Sequence, residues 1–262
     1  MKIDDTYLYT GGRPFDVTRP TAVFIHGAAN DHSVWALQSR YFAHHGWNVL
    51  APDLPGHGQS RGPACASVEA IAAHVAGLLA TLGVKGAFVA GHSMGSLAAL
   101  ELAATRPELV SRLALIGTTV PMAVGDALLD AARSDEARAR RMIVGWSFAP
   151  ASQLANDQKV PGLWLPGVAL ALMQRQPKGV LANDLAACRA YANGLAAAAA
   201  LSVPTLVVIG ERDQMTPPKA AAQVIGTLRE ARVVRLPEAG HSMLSEAPDA
   251  VLEALWRFAN AR

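Results

Sequence analysis

Six short, almost continuously apolar runs recur along the chain, at residues 22–26, 47–51, 87–90, 112–116, 205–209 and 232–236, with longer amphipathic stretches between them. Strands apolar on both faces need a covering layer on each side, and a helix between successive strands supplies that layer while keeping the strands parallel. Residues 33–45, 68–82, 94–105, 218–229 and 249–261 carry apolar side chains at three- and four-residue spacing and read as those helices. The pattern predicts βαβ repetition in one open α/β sheet. Ahead of it, residues 2–15 read as an antiparallel edge hairpin turning at Gly11-Gly12.

The alternation breaks once. Residues 121–199 contain no strong strand and three helix-like pieces, at 125–148, 163–175 and 180–190. Roughly 80 residues are too many for one crossover, so this segment is expected to form a helical cap over one end of the sheet. Residues 1–120 and 200–262 then form the core. A thicker helical layer on the side of the sheet is the alternative.

Composition removes several classes of function. Lys+Arg 23 against Asp+Glu 21 leaves a formal charge of +2, too small to attract nucleic acid or an anionic membrane by field alone. No run of ~18 apolar residues occurs, and the first residues include Asp4 and Asp5 with no apolar leader segment. These features predict a cytoplasmic chain with no membrane attachment. Cys65 and Cys188 stand far apart without metal-ligand spacing, which suits reduced thiols. No H-E-x-x-H string or Cys/His ligand pair occurs, so no metal is expected.

The chemistry concentrates at strand ends. Gly91-His92-Ser93-Met94-Gly95 follows the run at 87–90 and opens the helix at 94–105. A serine forced into a tight strand-to-helix turn projects its hydroxyl above the sheet, and flanking glycines make room for that backbone. A glycine-rich turn with an incidental serine would match the same string. A serine hydroxyl, however, needs a base within reach and a carboxylate to hold that base in one tautomer. Asp213 lies in the loop after 205–209, and His241 follows 232–236. Carboxyl ends of strands are where ligand-facing residues of open α/β sheets gather. The order Ser93, Asp213, His241 is the one expected for a nucleophile elbow. Glu211 is a rival acid, while the loop 117–121 offers no carboxylate.

Together, Ile25-His26-Gly27-Ala28, Pro52-Asp53-Leu54-Pro55-Gly56-His57-Gly58-Gln59-Ser60, Gly91 to Gly95, Gly210-Glu211-Arg212-Asp213 and Gly240-His241-Ser242 resemble the α/β-hydrolase superfamily over essentially the whole chain. The likeness is to its small cofactor-free esterases and carbon-carbon bond hydrolases with a helical cap after the sixth strand. It implies that Ser93 is the nucleophile, His241 the base and then the acid, and Asp213 the orienting anion, with no cofactor. The Met94 N–H, at a helix start, fits one oxyanion donor. The resemblance supplies Ala28 N–H as the second. The single glycine before Ala28 implies poor activity on esters of bulky tertiary alcohols.

Around this centre, Asn30 and Trp35 are candidate borders of the substrate, while Asp31 and Ser33 read as helix caps. Trp146 and Trp164, like Met142, Phe148, Leu165, Met173 and Tyr191, are candidate pocket walls from the cap; core packing is the alternative for each. His26 and His57 read as loop-fixing groups. Arg138, Arg140 and Arg141 read as a solvated helix face or as an attractor of an anionic thioester. The expected function is hydrolysis of a small to medium carboxylic ester through an acyl-enzyme, the partner being a small-molecule acyl substrate. The same constellation serves a thioesterase, a carbon-carbon bond hydrolase or a lyase. A ligand-sensing member with little turnover is the non-enzymatic alternative.

Overall fold

In the computed structural model, which describes residues 1–153 and 162–261, the six apolar runs become the parallel part of one eight-stranded sheet. Its strands are β1 (Lys2–Ile3), β2 (Thr6–Tyr9), β3 (Thr21–Ile25), β4 (Asn48–Pro52), β5 (Ala87–His92), β6 (Val110–Ile116), β7 (Thr205–Gly210) and β8 (Ala231–Leu236), in the order β1-β2-β4-β3-β5-β6-β7-β8. Pairing is antiparallel for β1 with β2 and for β2 with β4, and parallel elsewhere. The parallel register sets Ile25 beside Gly91, His92 beside Ile116 and Gly210 beside Leu236. The loops that leave these strands therefore share one edge of the sheet.

Helices α1 (Ala36–His44), α2 (Val68–Thr81) and α3 (Met94–Thr105) follow the early strands. Between β6 and β7 come α4 (Asp126–Ser134), α5 (Glu136–Ser147), α6 (Pro150–Gln153), α7 (Leu165–Gln174), α8 (Val180–Ala190) and α9 (Gly194–Ala200). The chain finishes with α10 (Pro218–Thr227), α11 (Met243–Glu246) and α12 (Pro248–Ala259).

Strand side chains alternate between two apolar layers, as a sheet covered on both faces requires. Val23, Ile25, Val89, Leu113, Leu115, Val207 and Ile209 enter the layer with α2, α3, α10 and the cap. Phe24, Phe88, Ala114, Ile116, Leu206 and Val208 enter the layer with α1 and α12. Phe42 of α1 anchors that second layer, meeting Phe24 at 5.4 Å and Trp256 at 5.1 Å edge to face, the geometry aromatic quadrupoles favour.

Between β6 and β7 the chain forms the inserted helical cap of an α/β-hydrolase fold. Residues 154–161 of the expected cap and residue 262 of the expected core lie outside the described residues. The helix expected over 125–148 divides at Asp135, whose carboxylate accepts the Arg138 N–H at 3.0 Å and caps α5. Among the described residues, no helix is long and apolar enough to cross a membrane.

The amino-terminal hairpin exists, but its turn is not at Gly11-Gly12. Ile3 pairs with Thr6 and the chain reverses at Asp4-Asp5, with Asp4 at φ 47°. Aspartate tolerates that left-handed conformation better than most side chains. Gly11 and Gly12, at φ 67° and 82°, do form a turn, with Arg13 N–H donating to Thr10 O at 3.3 Å, but residues 13–15 form no strand to pair back with β2; a Cβ on Gly11 would also collide with Ala43 and the Ser39 carbonyl of α1.

Candidate active site

Ser93 occupies the junction of β5 and α3 with φ 54° and ψ −121°, a backbone that L-residues rarely adopt. Its neighbours hold it there. Ser93 N–H donates to Ile116 O at 2.9 Å, and Ser93 O accepts from Ser96 N–H at 2.8 Å and Ser96 Oγ at 2.6 Å. The flanking glycines are a steric necessity. A Cβ on Gly91 would fall on the Gly95 carbonyl, and one on Gly95 on the carbonyls of Ile25 and His26.

Asp213 follows β7 in a loop that saturates its carboxylate. Oδ1 accepts from Met215 N–H at 2.8 Å and Thr216 N–H at 2.7 Å, while Oδ2 accepts from Thr216 Oγ1 at 2.5 Å and His241 Nδ1 at 2.8 Å. Burial opposes its charge, but His241 and the Thr216 bonds prevail and pull its pKa down to about 2. An ionised carboxylate only accepts, so His241 Nδ1 carries a hydrogen, and in the neutral ring that leaves Nε2 with its lone pair. That is the tautomer a base needs. Ser93 and His241 line one cavity, yet no hydrogen bond joins their side chains among the described residues. In ligand-free sites such bonds are often long and tighten on substrate binding.

That cavity, of about 110 Å³, lies between the strand ends and the cap. Its walls are mostly apolar: Met122, Val124, Leu128, Ile143, Val144, Phe148, Met173, Leu185 and Met215, with Ala28 and Asn30 from the loop after β3. It shares Asn30, His92, Phe148, Ala169 and Ser242 with a neighbouring cavity of about 530 Å³ that extends past Leu37, Val168 and Arg175. Met94 is the first residue of α3, so its N–H has no partner within the helix. The Ala28 N–H has no hydrogen-bond partner among the described residues.

Of the pocket residues expected from sequence, the structure places Asn30 in both cavities. Trp35 is fully buried in the second core layer, 5.1 Å from Phe24, and lines neither cavity. Trp146 and Trp164 are 38% and 53% exposed and also line neither. Glu211 pairs with Arg235 at 2.8 Å on the outer side of the sheet edge.

Several participants went unnoticed in the sequence. Thr216 bonds Asp213 and also lies 3.2 Å from His241 Nδ1; its place three residues after an aspartate was the available signal. His92 Nε2 donates to the His241 carbonyl at 2.9 Å and so fixes the backbone at His241. Burial, with His241 beside it, holds His92 down to about 3, so it stays neutral. Glu246 ties this loop to the cap: Oε2 accepts Gly240 N–H at 2.9 Å and Oε1 accepts Ala149 N–H at 2.8 Å. Ser242 N–H adds a bond of 2.9 Å to Ser147 O.

One group has the composition of a metal site. Asp31, His32 and Asp53 bring ligand atoms within 4.8 Å of one another. Their atoms are already engaged: Asp53 accepts His32 N–H at 2.8 Å and Gln59 N–H at 2.8 Å, and Asp31 accepts Ser33 N–H at 2.9 Å and Arg175 at 3.0 Å. The cluster is explained as a staple between two loops.

Residues 20–248 match the family model described as alpha/beta hydrolase fold. The chain is 28% identical over 256 residues to BpoC of Mycobacterium tuberculosis, a protein named for a non-heme bromoperoxidase, over 92% of this chain and 94% of that one. It is 26% identical over 239 residues to the (E)-2-((N-methylformamido)methylene)succinate hydrolase of Acinetobacter baylyi, over 89% and 88% of the two chains. The crystal structure of the enol-lactonase from Burkholderia xenovorans is similar with a TM-score of 0.85 at 25% identity, covering 97% of this chain and 95% of that one. With a family match running from before β3 to the start of α12, the chain belongs to the α/β-hydrolase fold family.

Proposed function

We propose that the chain is a serine hydrolase that cleaves a small to medium carboxylic ester through an acyl-enzyme on Ser93. The observation that carries this reading is His241, held by Asp213 with Nε2 free, in the same apolar cavity as a serine on a strained elbow. Ser93 Oγ attacks the ester carbonyl and its proton passes to His241 Nε2. The carbonyl oxygen becomes an anion facing the N–H groups of Ala28 and Met94. The tetrahedral intermediate collapses, the C–O bond breaks, and His241 returns the proton to the departing alcohol. Water, deprotonated by His241, then attacks the acyl-enzyme and releases the acid.

The relatives support ester-type chemistry, and the enol-lactonase puts cyclic esters among the substrates worth testing. The test is turnover by the purified chain on nitrophenyl esters of increasing acyl length, small lactones and thioesters. Repeated turnover on short-chain esters or lactones is expected. A marked preference for thioesters would replace the reading with a thioesterase, and a single slow acylation would replace it with a ligand sensor.

The cavity also makes a prediction about selectivity. Met173 of α7 is buried and forms part of its wall. Met173→Ala should raise kcat/KM for longer acyl chains relative to acetate by about tenfold, the scale of apolar pocket contacts. An unchanged chain-length profile in the folded variant would remove this wall from acyl selection.

A further inference from the structure

Asp184 stands on cap helix α8, remote in sequence from the strand ends, and is only 1% exposed. Its Oδ2 accepts two hydrogen bonds from the core, from Ala29 N–H at 2.9 Å and from His57 Nε2 at 2.8 Å. Ala29 belongs to the loop that follows β3. There Asn30 N–H donates to Gly27 O at 3.3 Å, closing a tight turn, and Ala29 has φ 50°. Positive φ at the third residue alone defines a type II turn, a position glycine usually fills. Alanine is sterically disfavoured there.

The turn decides which groups face which way. Gly27 O takes both Asn30 N–H and His26 Nδ1, the latter at 2.9 Å, so the Ala28 N–H across that planar peptide points away from them. The competing type I turn would reverse the next peptide, bringing the Ala28 carbonyl toward Asp184 in place of the Ala29 N–H. A carboxylate attracts the N–H and repels the carbonyl.

His57 keeps that carboxylate charged. Its Nδ1 faces Pro55 O at 3.0 Å and its Nε2 faces Asp184, both of which only accept, so both ring nitrogens donate and the ring is an imidazolium. Burial pulls its pKa down, but the hydrogen bond and charge of Asp184 outweigh burial and leave it above 6.5. The other titratable groups around the pair are Asp53, His26, Cys65 and Cys188. His26, its ring 4.9 Å from that of His57, is held to about 4 by burial and that neighbouring charge and stays neutral.

We propose that Asp184, paired with His57, is the positioning residue of the oxyanion loop: by holding the Ala29 N–H its carboxylate anchors the type II turn whose second residue, Ala28, presents its free N–H beside Ser93. The proposal rests on the hydrolase reading above. It makes the cap, which supplies no member of the triad, a determinant of the chemical step.

The test compares the parent, Asp184→Asn, and Asp184→Asn combined with Ala29→Gly. Each is assayed on nitrophenyl acetate and for binding a trifluoromethyl ketone, which forms a tetrahedral adduct on the serine. Asp184→Asn keeps the shape and removes the charge. It should lower kcat by about 10²-fold, the scale of one oxyanion donor, with KM within about threefold. Ketone affinity should weaken by the same factor as kcat/KM, because both report on the tetrahedral state. Glycine adopts positive φ without steric cost, so Ala29→Gly should restore at least about threefold of the lost kcat. Parent-like kcat in Asp184→Asn, a fall in kcat with unchanged ketone affinity, or no rescue by glycine would each overturn the proposal. A parent without ester turnover would instead overturn the hydrolase reading. The parent's histidine ¹⁵N spectrum keeps the test decisive if a variant does not fold. His57 should be more than half imidazolium at pH 6.5, and a mainly neutral ring at that pH would overturn the latch.

Discussion

Ser93→Ala should abolish fluorophosphonate labelling of the chain and lower ester kcat by roughly 10⁴- to 10⁶-fold, the range seen when the nucleophile of a triad is removed. The parent should take up one label, on the peptide carrying Ser93. The variant should fold, because the backbone at position 93 is held by Ile116 and Ser96, and the side chain has no hydrogen bond among the described residues. The small residual rate would come from binding and from the two backbone donors. KM should stay within a few fold, since the hydroxyl contributes little to ground-state binding. Labelling that survives in the variant, located by mass spectrometry, would identify another nucleophile and end the case for Ser93.

Asp213→Asn should cost about 10⁴-fold in kcat, the measured scale for losing the orienting carboxylate of a triad. The reason is the direction of one hydrogen bond. The asparagine would still fill the loop, but its amide can donate to His241 Nδ1 and so favour the tautomer in which Nε2 carries the hydrogen. A protonated Nε2 cannot accept from Ser93. Thr216 does not substitute, because its hydroxyl hydrogen is directed to Asp213 and its oxygen lies 3.2 Å from Nδ1. Glu211→Gln is the matching control: Glu211 is paired with Arg235 at 2.8 Å, and kcat should change by less than about threefold, the scale of an exposed pair. Near-parental activity in Asp213→Asn together with a large loss in Glu211→Gln would move the role to Glu211.

The parts of the fold that could be read from sequence are those in which local pattern and tertiary demand coincide. Strands β3, β5 and β7 are buried at every position, and β6 from Leu113 onward, because both faces are covered, and that demand leaves its mark in nearly continuous apolar runs. The candidate positions Ser93, Asp213 and His241 are read through the same strands, since a residue at a carboxyl end is placed by the sheet register. The cap obeyed no such rule. Trp35, after β3, and Trp146 and Trp164, in the cap, read as pocket borders, but helix spacing does not say which neighbour a face will meet. Trp35 went to the core behind the sheet, and the other two remain exposed on the cap. Asp184 was illegible for a related reason: in sequence it is one aspartate in an amphipathic helix, and its partners Ala29 and His57 lie more than a hundred residues away. The Gly11-Gly12 turn forms as glycine at positive φ allows, but the hairpin closes earlier, at Asp4-Asp5, because residues 13–15 form no strand to pair back with β2.

The Glu246 bridge bears on how a scaffold of this kind can be diversified. One carboxylate receives an N–H from the junction of α5 and α6 and another from the residue before His241, and with the Ser242 N–H bond to Ser147 O it joins the cap to the loop carrying His241. Transplanting a foreign lid between β6 and β7 would therefore disturb the loop carrying His241 unless the graft kept an N–H at the place of Ala149 and a carbonyl at the place of Ser147. The wall contributed by α7 is open to recombination, whereas the stretch running into α6 must be inherited together with the loop it steadies, and α8 together with the loop that Asp184 holds.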